Sequence, residues 1–200
     1  MVRGQGIAPE YPLDALLVST LAVAIAEIGD KTQLLALVLA ARYRKPWPIV
    51  TGILVATVLN HALAGWLGAL VSGWVNPDYL RWGVVLSFLA VAAWALVPDK
   101  LDEDEAKAPR FGPFVATLIA FFLVEMGDKT QVATVVLAAQ YEPLWQVVAG
   151  TSLGMMLANA PVVLLGARFA AKLPLKAARY AAAALFAGLG LWVAFAGLPG

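Results

Sequence analysis

Apolar residues fill six long stretches of the chain, at about 13–41, 47–72, 79–97, 112–140, 144–167 and 178–198. A helix rises about 1.5 Å per residue and the hydrocarbon core of a bilayer is about 30 Å thick, so about 20 apolar residues cross it. Each stretch therefore predicts a transmembrane helix. The turns between them carry the breakers such a pattern needs: Arg42-Tyr43-Arg44-Lys45-Pro46, Asn76-Pro77-Asp78, Tyr141-Glu142-Pro143 and Leu173-Pro174. The first and fourth stretches are longer than one crossing requires, which implies tilt, a break near Gly29 and Gly127, or both.

Those two stretches are interrupted at mid-depth by the same seven polar-rich positions. Glu27-Ile28-Gly29-Asp30-Lys31-Thr32-Gln33 recurs as Glu125-Met126-Gly127-Asp128-Lys129-Thr130-Gln131. A charge at the centre of a membrane helix costs about 2.5–3.5 kcal/mol, so the charged residues of both copies, left unpaired, would cost about 15–20 kcal/mol. A cost of that size points to paired charges with a function. On a continuous helix Glu27, Asp30 and Lys31 share one face, Gln33 borders it and Thr32 lies farther round, and the second copy repeats the geometry.

The repeat extends beyond the motif. At a constant offset of 98, residues 27–68 match residues 125–166 at 18 of 42 positions without a gap. Each half then holds three spans, an odd number, so the second half enters the membrane from the opposite face. The expected architecture is an all-α membrane protein of six transmembrane helices, built as two inverted three-helix repeats. The halves are residues 1–97 and 114–200, joined by an acidic linker at 98–113 that contains Asp99, Asp102, Glu103, Asp104 and Glu105. Outside the motifs, Lys and Arg gather in the first, third and fifth turns, and only Arg3 and Arg81 fall on the other side. The positive-inside rule then puts both termini outside the cytoplasm and the linker within it.

Composition narrows the class further. Of 200 residues, 62% are hydrophobic and 14% charged, with mean hydropathy +0.80, values that exclude an ordinary soluble domain. The polar first dozen residues, with Pro9 and Pro12, do not read as a signal peptide. No cysteine is present, which removes disulfides and thiolate metal sites. A net charge of +1 gives no bulk attraction to nucleic acid.

If the two motif helices face one another, four carboxylates meet two ammonium groups, a formal sum of −4 + 2 = −2. One divalent cation neutralises that sum, and so do two protons, which is the physical basis of exchange. Carboxylates beside amide and hydroxyl oxygens suit hard cations such as calcium, manganese or magnesium. Lys31, Thr32, Gln33, Lys129, Thr130 and Gln131 are candidates for the ligand shell or the layer behind it, as are Asn60, His61 and Asn159 in the second and fifth spans. The lysines also read as intrahelical partners of Glu27 and Glu125. Met126, Met155 and Met156 read as packing, and Gly52, Gly65, Gly68, Gly150, Gly154 and Gly166 as close helix contacts.

The doubled Glu-x-Gly-Asp-Lys-Thr motif, six spans and an acidic central loop resemble the Gdt-type cation/proton exchangers. This is calcium/cation antiporter family two, among the lysine-exporter-like transporters. The resemblance implies a transporter rather than an enzyme, exporting manganese or calcium in exchange for protons. It also implies that Glu27, Asp30, Glu125 and Asp128 form the metal site, with metal ions and the lipid bilayer as partners and no separate cofactor. Eukaryotic relatives carry a long N-terminal extension, so the expected location here is a bacterial inner membrane. Oligomeric state is left open. A divalent-cation channel or uniporter would need a continuous wet path, against which the apolar flanks of each motif argue. An intramembrane aspartyl protease using Asp30 and Asp128 would need a glycine where Glu27 and Glu125 stand.

Overall fold

The computed structural model describes residues 14–98 and 111–197; most of the acidic linker and both termini lie outside the described residues. Among the described residues there are nine helices and no strand: α1 (Asp14–Ala26), α2 (Lys31–Tyr43), α3 (Pro46–Trp74), α4 (Pro77–Ala95), α5 (Pro113–Glu125), α6 (Lys129–Gln140), α7 (Leu144–Leu165), α8 (Ala167–Ala170) and α9 (Leu175–Ala196). Proline opens α3, α4 and α5, where its fixed φ suits a first turn and its missing N–H costs nothing. The Asn76 side chain caps α4 by accepting from the Asp78 N–H at 3.0 Å. The starts of α2, α3 and α4 recur 98 residues later as those of α6, α7 and α9.

The first and fourth apolar stretches are each two helices, and the break falls within the motif. Gly29 and Gly127 have φ of +84° and +75°, a left-handed conformation that ends one helix before the next begins. The continuous helical face expected for Glu27, Asp30 and Lys31 is therefore not formed. The fifth stretch ends at Leu165. Gly166, with φ +73° and nothing near its Cβ direction, terminates α7 rather than making the close helix contact expected of it.

The long helices α3 and α7 cross at the centre, and each packs on the broken pair of the other half: α5 and α6 lie on α3, α1 and α2 on α7. Small residues permit the approach. A methyl at Gly52 would stand 2.8 Å from Thr117 Cβ, and one at Gly150 would stand 2.6 Å from the Leu16 carbonyl oxygen. Outside this group α4 and α9 form a pair. Phe88 stacks on Phe186 at 6.2 Å, Gly190 seats against Phe88, and the Arg81 guanidinium donates to the carbonyls of Val193 and Ala194 at the end of α9. This pair leans unevenly: α4 packs on α6 and α9 on α1, whereas α4 with α5, and α9 with α2, make at most glancing contact.

Four helices, α3, α4, α7 and α9, are long and apolar enough to cross a membrane. Their outer faces expose Leu86, Leu157 and Leu164, while Trp47, Trp74 and Trp145 stand exposed at helix ends. Water would penalise such a surface, whereas lipid solvates it and the interfaces favour tryptophan.

Candidate cation site

Each break does two things at once. It leaves a glutamate at the end of one helix and puts an aspartate at the N-cap of the next. Glu27 follows α1, and Asp30 caps α2, accepting from the Thr32 N–H at 3.3 Å. Glu125 ends α5 and Asp128 stands at the cap position of α6. The helix N-termini of α2 and α6 thus abut the acids, and their partial positive charge favours buried carboxylates.

Glutamine repairs the backbone at each break. Gly29 N–H donates to Gln33 Oε1 at 2.9 Å, and Gly127 N–H donates to Gln131 Oε1 at 2.7 Å. The other end of each amide then ties the break to the long helix of the opposite half. Gln33 Nε2 donates to the Ala158 carbonyl of α7 at 2.9 Å, and Gln131 Nε2 donates to Asn60 Oδ1 of α3.

The motif acids, 2% exposed or less, meet from both copies. Glu27, Asp30 and Asp128 each present an oxygen, and the three oxygens lie within 4.8 Å of one another. The Thr32 hydroxyl and Asn159 Nδ2 donate to Glu27, the latter at 3.3 Å, and the Thr130 hydroxyl donates to Asp128 at 3.2 Å. Lys129 is buried, and its ammonium pairs with Asp30 of the other copy. An intrahelical Glu125–Lys129 pair was the expectation, but the break removes the helical turn that would align them. Lys31 is half-buried and engaged in an interaction of its own.

Glu125 lies outside the group of three. Thr57 Oγ1 donates to its Oε1 at 3.3 Å, Asn60 Nδ2 approaches Oε2 at 3.5 Å, and His61 Nε2 stands 3.7 Å from Oε1. All candidate residues from the sequence therefore fall in or beside one buried polar centre, except that Lys31 and Gln131 are only half-buried. Thr57 is the residue that sequence reasoning missed. Its position one turn before Asn60 and His61, on the same face of α3, was the available signal.

Three carboxylates against one ammonium carry a formal −3 + 1 = −2, which a divalent cation balances. The comparisons with known proteins agree with that chemistry. The model of the family described as "Divalent cation/proton antiporter GDT1" matches residues 15–103 and 113–199. A Vibrio cholerae protein named "Putative manganese exporter" is 54% identical over 187 residues, which is 93% of each chain. A GDT1-like protein of Synechocystis sp. is 30% identical over 178 residues, 80% of this chain and 85% of that one. In rice (Oryza sativa subsp. indica) "GDT1-like protein 3" is 28% identical over 204 residues, 88% of this chain and 71% of that one. No solved structure matches significantly. The chain belongs to the GDT1 family of divalent cation/proton antiporters.

Proposed function

We propose that this chain exports manganese across a bacterial inner membrane in exchange for protons. The observation that carries the reading is the convergence of Glu27, Asp30 and Asp128, from both motif copies, within 4.8 Å. Glu125 is the fourth acid of the site, and Thr32, Asn60, Thr130 and Asn159 orient the carboxylates. The choice of manganese is supported by the name of the Vibrio cholerae relative, and calcium is the outcome to test against it.

The broken pairs α1–α2 and α5–α6 complete two further crossings, so six spans result. They form two inverted halves, 1–97 and 114–200, around a cytoplasmic linker at 98–113, with both termini outside. Metal and protons compete for the same oxygens. A cation arriving from the cytoplasm displaces protons, and after it leaves on the far side inward-moving protons neutralise the emptied acids. Neither empty nor doubly loaded sites are favoured in a low dielectric, which couples the two fluxes.

The test is manganese and calcium flux in proteoliposomes under imposed pH gradients. Manganese movement driven by a proton gradient in the opposite direction is expected. Manganese flux indifferent to the proton gradient would instead mark a channel or uniporter. Topology is checked with single cysteines at Arg44 and Asp78, which should label from opposite faces with an impermeant thiol reagent. Labelling of both from one face refutes the arrangement.

A further inference from the structure

Resting on that transport reading, we infer that His61 donates an imidazole nitrogen to the transported cation beside Glu125, and that this contact discriminates manganese from calcium. His61 is fully buried, and neither Nδ1 nor Nε2 has a hydrogen-bond partner. A buried imidazole kept for packing ordinarily has at least one ring nitrogen bonded. Glu125 Oε1 stands 3.7 Å from Nε2, too long for a hydrogen bond.

That separation suits two ligands of one ion. Nitrogen and oxygen donors each about 2.0–2.2 Å from a metal stand about 3–4 Å apart across it. Thr57 and Asn60 hold the Glu125 carboxylate from the same helix that carries His61. The imidazole and the two groups that hold the carboxylate are thus set on one helix, α3, facing Glu125 at the end of α5.

The repeat sharpens the point. The position 98 residues on is Asn159, whose Nδ2 donates to Glu27 at 3.3 Å. The Asn159 amide can offer a metal only its Oδ1, which like the His61 nitrogens has no hydrogen-bond partner, so at this position one half presents an oxygen donor and the other a nitrogen donor. Glu27 accepts from the side chain at this position, whereas Glu125, held by Thr57 and Asn60, faces a free imidazole nitrogen. Calcium takes oxygen ligands in large flexible shells, whereas manganese, though also suited by oxygen, is a first-row transition metal that accepts an imidazole nitrogen in a mixed shell. A site of carboxylates plus one imidazole therefore rejects calcium in relative terms and retains manganese.

The chain has a single histidine, which makes the test direct when no histidine tag is used. Purified protein is loaded with manganese and examined by electron spin-echo envelope modulation. Imidazole-type nitrogen modulation should appear, and selective 15N labelling of histidine should alter it. In His61→Asn, which places asparagine at this position in both halves, the modulation should vanish and calcium should compete against manganese at least about tenfold better. Stoichiometrically bound manganese without imidazole modulation in the wild type overturns the inference, while manganese–proton exchange in vesicles would leave the transport reading standing. Absence of that exchange overturns both.

Discussion

Alanine at Gly29 or Gly127 tests the break by the sign of its effect. In a continuous helix, replacing glycine with alanine stabilises by about 1 kcal/mol. At φ of +84° and +75° the same change must destabilise, by about 1–2 kcal/mol for an L-residue in the left-handed region. The two positions differ in their surroundings. A methyl at Gly29 would stand 2.9 Å from Leu175 Cδ2, whereas at Gly127 it would meet nothing within 4 Å. Gly29→Ala should therefore exceed Gly127→Ala by an overpacking increment of up to about 1–3 kcal/mol. Leu175→Ala should remove that increment and leave the backbone cost of both. In thermal unfolding of the detergent-solubilised protein, each kcal/mol corresponds to about 2–4 °C for a chain of this size. Gly127→Ala should thus lower the Tm by about 2–8 °C. A rise in Tm with either alanine would refute the broken helix and restore a continuous one.

Asp30→Asn should abolish manganese binding and, by taking a carboxylate from the buried Lys129 ammonium, cost about 3–5 kcal/mol. Adding Lys129→Gln should recover stability without recovering binding, as read by unfolding and by isotope uptake side by side. Gln131→Ala strips a partner from the Gly127 N–H and from Asn60 Oδ1 together, and should cost about 1–3 kcal/mol in the same unfolding assay. Manganese affinity should fall as pH is lowered, and addition of manganese in weak buffer should release about two protons per ion. Metal binding without proton release would contradict exchange at these carboxylates.

Much of this could be seen in the residues alone, and the gaps share one cause. Apolar runs and the doubled motif locate the helices and the acids, because membrane solvation leaves few alternatives for a long apolar segment. The break was foreseeable from excess length and Gly29. What escaped was everything that depends on where the chain goes after the break. Helical periodicity assigns Lys129 to Glu125, yet one left-handed glycine redirects its ammonium to Asp30 of the other copy. Thr57 and the two glutamines act between halves, across sequence distances that no local pattern encodes. Gly166 matched its partner Gly68 in sequence but not in role, since Gly68 packs against the Val135 carbonyl and Gly166 simply ends a helix.

The pairing of α4 with α9 bears on how the molecule can change shape. Arg81 holds the last carbonyls of α9, and Phe88 stacks on Phe186, so neither helix can shift far without the other. Together they rest on α1 and α6, one member of each broken pair. On the inverted repeat proposed above, the opposite conformation is the one in which each half takes up its sister's packing. Such an exchange would carry α4 from α6 to α5 and α9 from α1 to α2, without unwinding a helix or breaking the clasp between them. The lopsidedness of one conformation is then a description of its opposite: the contacts that are thin on one side are those due to tighten when the other side lets go.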